Sequence, residues 1–462
     1  MTTATHPTST DTSFDWPLAY QAESLVRDFL SAFLRKNLAA ETLAKEMSAK
    51  TGTDFLEWVD HFTLAPELEG ELRDAGFIDE SVRAEAGQKV LYHPRAMLPR
   101  VLLHSEGSLN SVPVKVAIRP ESVVDFAARQ QLSEKIQGAF GDRLREVVIS
   151  TERGNIFTAI ERLAYRDFVK SENPGFAGKV IAVRELWRSR KRDFPKDEDG
   201  IRHAFALQQE AIDQVGADVA CELFFAEERA YWELKNRAGR IQKWRQDLLG
   251  LGWGNHDHHT FRSSRRFFAD LVTFLQNFGF TKRERYYAGS EAGWGAQIQE
   301  HAVSGITVFA DVDLMPEETE IDFSSQRLQD APVLRTVGLW CGLHGDSFLQ
   351  AGMHHLEARF EFENLRAQLA DEGINTMNPF SNFDFLKQAF TQGERWEVNP
   401  KRVQRLLERR LITHEQATKF LEEGAVGSHL ENLQRRGGFK GFNQKSVSVI
   451  IEATDPRAIT AR

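Results

Sequence analysis

The chain has 462 residues, 41% of them hydrophobic and 27% charged; these globular proportions exclude a chain that is disordered or collagenous throughout, and the length fits two or three domains. Lys and Arg number 58 against 67 Asp and Glu, a formal charge of -9, which argues against a globally basic nucleic-acid binder. Two cysteines, Cys221 and Cys341, are too few for a disulfide framework or a cysteine-rich zinc site. They fit a reducing compartment, so the cytoplasm is the expected location.

Residues 1–15 are rich in Thr and Ser, with neither a basic flank nor an apolar run. They are expected to be disordered, and to be neither a signal peptide nor an anchor. Nowhere do 18 apolar residues run together, so no membrane association is expected. Leu25, Phe29, Phe33 and Leu38 give 19–47 helical spacing. Short apolar runs then predict strands through 58–118, around a short helix at 67–75. A helix at 122–137, a strand at Val147-Val148 and helical spacing over 157–169 complete an N-terminal α+β region, 16–200. Its last part, 184–196, groups Arg184, Arg188, Arg190, Lys191, Arg192 and Lys196 among acids and reads as a solvated helix face. Residues 201–250 have few breakers and predict a connector of one or two long helices, ended by Gly250-Leu251-Gly252-Trp253-Gly254.

Beyond that glycine cluster the texture changes. Over 251–330 the order is an extended stretch at 256–262, a helix at 266–277 stopped by Gly279, then strands at 283–287, 294–299 and 305–314. The same opening recurs after Gly352, with 354–362 extended, 364–371 helical and Gly373 as the stop. This second module, 331–456, is interrupted by a largely helical insertion at 383–438 before a last strand at 446–453. The expected fold class is therefore α+β, with paired β-α-β-β-β modules enclosing a cavity.

Strand alternation selects the residues that face it. With His259 and Phe261 toward the packing helix, His258, Thr260 and Arg262 face the other way. With Leu356, Ala358 and Phe360 inward to the core, His355, Glu357 and Arg359 share the opposite face. Both modules thus present His-x-x-x-Arg, and the last strand adds Glu452, which follows His355 at the same 97-residue interval that separates His355 from His258. Two imidazoles and a carboxylate on separate strands can hold one face of a divalent metal and leave positions open, as in non-heme Fe(II) oxygenases. His256, His259 and His354 are supporting candidates around these ligands. Arg359 is either a second anion clamp or the partner of Glu357.

The module order, with Asp257-His258-x-x-Phe261-Arg262 heading one module, His355 heading the next and Glu452 on the closing strand, resembles the vicinal oxygen chelate superfamily. Within it the residues are most similar to the 2-oxoadipate dioxygenase/decarboxylase (2-hydroxyglutarate synthase) family, over about residues 254–456. The resemblance implies Fe(II) held by His258, His355 and Glu452, O2 as co-substrate, and Arg262 gripping the carboxylate of a small 2-oxo acid. A glyoxalase-like relative would add a fourth ligand, here Asp311 or Asp313, and would carry Zn, Ni or Mn in redox-neutral isomerase or lyase chemistry. A third class is a non-catalytic binder of small molecules that keeps the fold. Finally, Asp60-His61-Phe62-Thr63 echoes Asp257-His258-His259-Thr260, but Ala65 stands where Arg262 does. The N-terminal region reads as a decayed module in which His61 is a structural histidine rather than part of a second metal site.

Overall fold

The computed structural model describes residues 16–104, 113–170, 175–290, 292–443 and 455–457. The 1–15 lead and the expected last strand with Glu452 lie outside the described residues. Helices α1 (Tyr20–Leu34) and α2 (Leu38–Thr51) open the chain. They bury Val26, Phe29, Phe33, Leu43 and Met47, which recur at three- and four-residue steps along one face of each helix. The side chain of Asn37 accepts from Ala40 N at the start of α2, and Gly52 ends it at φ 64°, a conformation that glycine adopts without strain.

Strand β1 (Val59–Leu64), helix α3 (Glu69–Asp74) and strands β2 (Ile78–Asp79), β3 (Gln88–Tyr92) and β4 (Arg100–His104) follow. After them come β5 (Lys115–Ile118), α4 (Val123–Arg129), β6 (Leu144–Glu152) and β7 (Asn155–Arg162). The strands form a mixed seven-stranded sheet, β2-β3-β4-β1-β5-β7-β6. The helical spacing read over 157–169 is corrected here: most of that apolar run lies in β7, paired to β5 on one side and β6 on the other. A strand buried on both faces loses its alternation and imitates a helix.

The connector is three helices, α6 (Asp197–Val215), α7 (Ala217–Glu233) and α8 (Arg237–Asp247), preceded by α5 (Phe176–Arg188). Gly216 separates the first two, and Asn236 caps the third through Gly239 N. The basic stretch expected to be solvated is so at Arg188, Lys191 and Lys196, but it also clamps two helices together. Arg190 and Arg192 hold Glu228 at 2.8 and 2.6 Å, with the Arg190 and Glu228 side chains buried, while Arg184 and Arg188 hold Glu227 at 3.1 Å. Their acidic partners lie on α7, out of reach of a local charge pattern.

The C-terminal half begins with β8 (His256–Arg262), α9 (Phe268–Asn277), β9 (Phe280–Tyr287), β10 (Trp294–His301) and β11 (Thr307–Asp313), then α10 (Thr336–His344). It continues through β12 (His355–Arg359), α11 (Phe362–Asp371), β13 (Ser381–Phe383), β14 (Leu386–Phe390) and β15 (Glu394–Trp396) to α12 (Pro400–Glu408), α13 (His414–Glu423) and β16 (Ala425–Arg435). Nine strands form one mixed sheet, β13-β14-β16-β12-β8-β11-β10-β9, with β15 paired to β16. Within 383–438, read as a helical insertion, only α12 and α13 are helices. The correction matters because β16 lies between β12 and β14 and is buried along almost its whole length, so its charges are internal partners. His259 and Phe261 face the connector, 5.0 and 5.9 Å from the Phe225 ring. No helix among the described residues is long and apolar enough to cross a membrane.

The two sheets share one topology. In each, a central strand (β1 or β8) runs parallel to one neighbour (β4 or β11) and antiparallel to the other (β5 or β12). That second neighbour is parallel to β7 or β16, which is in turn antiparallel to β6 or β14.

Candidate metal centre

Three neighbouring strands bring the polar cluster together. In register, His258 on β8 lies opposite Glu357 on β12, Thr260 opposite His355, and Glu357 opposite Glu431 on β16. Directly paired residues on one face have their side chains within reach of each other. His258 Nε2 and His355 Nε2 both converge on Glu357 Oε1, at 2.9 and 2.6 Å, and Thr260 Oγ1 donates to the same oxygen at 3.0 Å. Glu431 Oε2 lies 3.8 Å from His355 Nε2, and its Oε1 accepts from Gln388 Nε2 at 2.8 Å. His258, Glu357 and Glu431 offer donor atoms that all lie within 4.8 Å of one another. The cluster lines a cavity of about 80 Å³ walled by Phe309, Phe380, Phe390 and Phe442.

Behind His258, Asp257 Oδ1 meets Nδ1 at 2.8 Å. Arg435 grips that carboxylate with two prongs, at 3.0 and 2.8 Å. The Asp257 contact places the imidazole proton on Nδ1 and turns the Nε2 lone pair into the cavity, the arrangement by which a carboxylate orients a metal-binding histidine. Burial alone pushes Asp257 up, but Arg435 and His258 outweigh it and hold the carboxyl well below its usual range. Burial keeps His258 and His355 neutral, the form that ligates a metal. Burial, then the adjacent Glu431, pushes Glu357 well up, and burial raises Glu431 to about 7. Both imidazole Nε2 atoms meet at Glu357 Oε1, whose other oxygen, Oε2, has no hydrogen-bond partner among the described residues. The donor set fits a divalent metal of the kind bound by nitrogen and oxygen.

The expected residues divide as follows. His258 and His355 come together, and Arg262 lines the same cavity. Glu452 lies outside the described residues. Arg359 sits two residues beyond Glu357, at the junction with the N-terminal half, and does not line this cavity. It pairs with Glu57 at 2.9 Å rather than with Glu357. Asp313 accepts from Arg335 N and Val337 N, at 2.8 and 3.1 Å, and so caps the start of α10; Asp311 lines the cavity apart from the donor cluster. Glu431 was missed inside the supposed insertion. A signal was present: His-Leu-Glu occurs at 355–357 and again at 429–431, and the two copies pair in register.

The N-terminal sheet has the same frame with other residues. His61 Nδ1 meets Asp60 Oδ1 at 2.8 Å, and Arg162 grips Asp60 at 2.8 and 3.0 Å. By register Lys115 stands where His355 does, Thr158 where Glu431 does and Glu146 where Gln388 does. The Lys115 ammonium is ion-paired with Glu146, and no second group of possible metal ligands is found among the described residues.

Two expected results follow from this geometry. Asp257→Asn frees the His258 ring to change tautomer, and metal affinity drops about 10- to 100-fold, as measured by competition with a chromogenic chelator. Because Glu431 holds a proton up to a pH of about 7, a metal must displace it at lower pH. Calorimetric titration of the metal at about pH 6 and about pH 8 will therefore give tighter binding at the higher pH, with proton release at the lower.

No protein-family model matches the chain, and no curated protein matches it. Among solved structures, a mutant of 4-hydroxymandelate synthase from Streptomyces coelicolor is similar at 12% identity and TM-score 0.28, over 86% of this chain and 98% of that one. Methylmalonyl-CoA epimerase from Mycobacterium tuberculosis is similar at 9% identity and TM-score 0.23, over 39% of this chain and 88% of that one. A xylose isomerase-like TIM barrel/4-hydroxyphenylpyruvate dioxygenase fusion protein is similar at 10% identity and TM-score 0.22, over 87% of this chain and 51% of that one.

Proposed function

We propose that this chain is a non-heme Fe(II) dioxygenase of the vicinal oxygen chelate type, acting on a 2-oxo acid, with His258, His355 and Glu431 as its metal ligands. The observation that carries the reading is the convergence of the two Nε2 atoms on Glu357 Oε1, with Glu431 Oε2 3.8 Å from His355 Nε2. Bound there, Fe(II) supplies open coordination positions for a chelating 2-oxo acid and for O2.

The chain's own residues do the rest. Asp257, held by Arg435, fixes the His258 tautomer. The guanidinium of Arg262 is buried with Nε and Nη1 unpartnered, and its planar fork suits a substrate carboxylate. The phenylalanine walls exclude water from the reacting atoms. Phe309, which occupies on β11 the place that Glu431 occupies on β16, offers no donor where a symmetric fourth ligand would stand.

Glu357 favours a second reading. Two histidines and two carboxylates also suit a redox-neutral Zn, Ni or Mn enzyme, an isomerase or lyase. Anaerobic loading with Fe(II), followed by O2 uptake against a panel of 2-oxo acids, separates the two. Uptake with release of CO2 supports the dioxygenase. Turnover without O2, restored best by Zn or Ni, replaces it with the second reading.

A further inference from the structure

Arg262 on β8 and Asp311 on β11 are direct register partners, and both side chains line the cavity that holds His258, His355 and Glu431. Opposite charges so placed normally close on each other. Here they do not come within the 4.0 Å of an ion pair, although Arg262 is the charge that acts on Asp311. Both residues are buried, at 4% and 5% exposure. The guanidinium rests 5.6 Å from the Trp340 ring, with Nε and Nη1 unpartnered. Among the described residues, no donor reaches the Asp311 carboxylate.

A buried charge whose job is structural is satisfied by the protein, because leaving it unpaired costs more than the fold recovers elsewhere. Asp313, two residues along β11, meets that condition with backbone N–H donors, and Asp346 meets it with Ser263 and Ser264. Asp311 does not. It is not one of the three residues whose donor atoms gather within 4.8 Å of one another. An unpaired cation and an unpaired carboxyl on adjacent strands of one cavity instead match the two ends of a polar group on a ligand.

We propose that Arg262 and Asp311 are the two arms of a substrate receptor, in which Arg262 takes a carboxylate and Asp311 takes a hydrogen-bond donor, a hydroxyl or ammonium group, on the same molecule. This rests on the reading of the cavity as the active site, and it makes the substrate a 2-oxo acid with a hydroxylated or aminated chain. Asp311 is then the specificity-determining residue. A site built to bond a polar group rejects the analogue that lacks it, because the buried partner is left unsatisfied.

The test uses the anaerobic Fe(II)-loaded protein and 2-oxo acids of matched length ending in methyl, hydroxyl or ammonium. Dissociation constants are read by calorimetry, and kcat/KM is measured after O2 is admitted. The parent is expected to prefer one of the donor-capped acids on the order of 100-fold over the methyl-capped one. Asp311→Leu collapses that preference to within about threefold with metal content unchanged. Asp311→Asn, which keeps the shape and an acceptor oxygen but not the charge, distinguishes the donors: it penalises the ammonium acid far more than the hydroxyl acid.

A parent that binds the methyl-capped acid as well as the others overturns the role of Asp311 and leaves the dioxygenase reading standing. So does a preference that survives in Asp311→Asn with the ammonium acid and in Asp311→Leu with either. If none of the acids binds or turns over, both readings fall together.

Discussion

Glu431→Gln yields a folded protein that has lost its divalent metal and on the order of a thousandfold in turnover. The substitution keeps the shape of a side chain that is 2% exposed and removes only the anionic oxygen, so circular dichroism and the unfolding midpoint should stay close to the parent. Metal content by atomic emission is the decisive reading. His355→Ala is expected to lower metal content as well, because it removes one of the two converging imidazoles. Glu452→Gln is the discriminating partner. If it, and not Glu431→Gln, empties the site, the ligand on β16 is misassigned and the carboxylate comes from the C-terminal segment named by the sequence resemblance.

Arg262→Lys separates substrate grip from metal grip. A guanidinium cannot ligate a cation and stays protonated, so metal content should remain at the parent level. Lysine keeps the charge but loses the two-pronged geometry, and kcat/KM toward 2-oxo acids is expected to fall by one to three orders of magnitude, about 1.4 to 4 kcal/mol. A merely structural arginine would lower stability and leave kinetics intact. Unchanged kinetics across acids of different length would therefore remove Arg262 from the carboxylate site.

Much of this centre can be read from β8 and β12, and little of it from β16, for a physical reason. His355 begins a strand whose other face is apolar, so period-two alternation assigns its face directly, and on β8 Phe261 points the same way for His258. The same parity puts Glu357 beside His355. β16 has no such contrast: it is buried on both faces between two other strands, and its polar residues fall on both of them. Arg359 shares the parity of Glu357, but parity does not say how far along a strand a cavity extends, and Glu57 of the other half meets it first. The N-terminal echo at Asp60-His61 carries the same Asp and Arg support as His258. What sets the two apart comes from strands far off in sequence, where Lys115 and Thr158 replace His355 and Glu431.

The Lys115–Glu146 pair carries a consequence for how the two halves respond to scarcity. A cation on a side chain cannot be exchanged, stripped by a chelator or replaced by the wrong ion. The N-terminal sheet brings its own counter-charge from the ribosome, and its order is independent of metal supply. On the proposed reading, the C-terminal sheet takes its cation from solution. After chelation, amide exchange should accelerate along β8, β12 and β16 while β1, β5 and β7 keep their protection. Depletion of metal thus reaches one of two sheets of like topology, and the other remains a rigid platform against which the emptied site can be refilled.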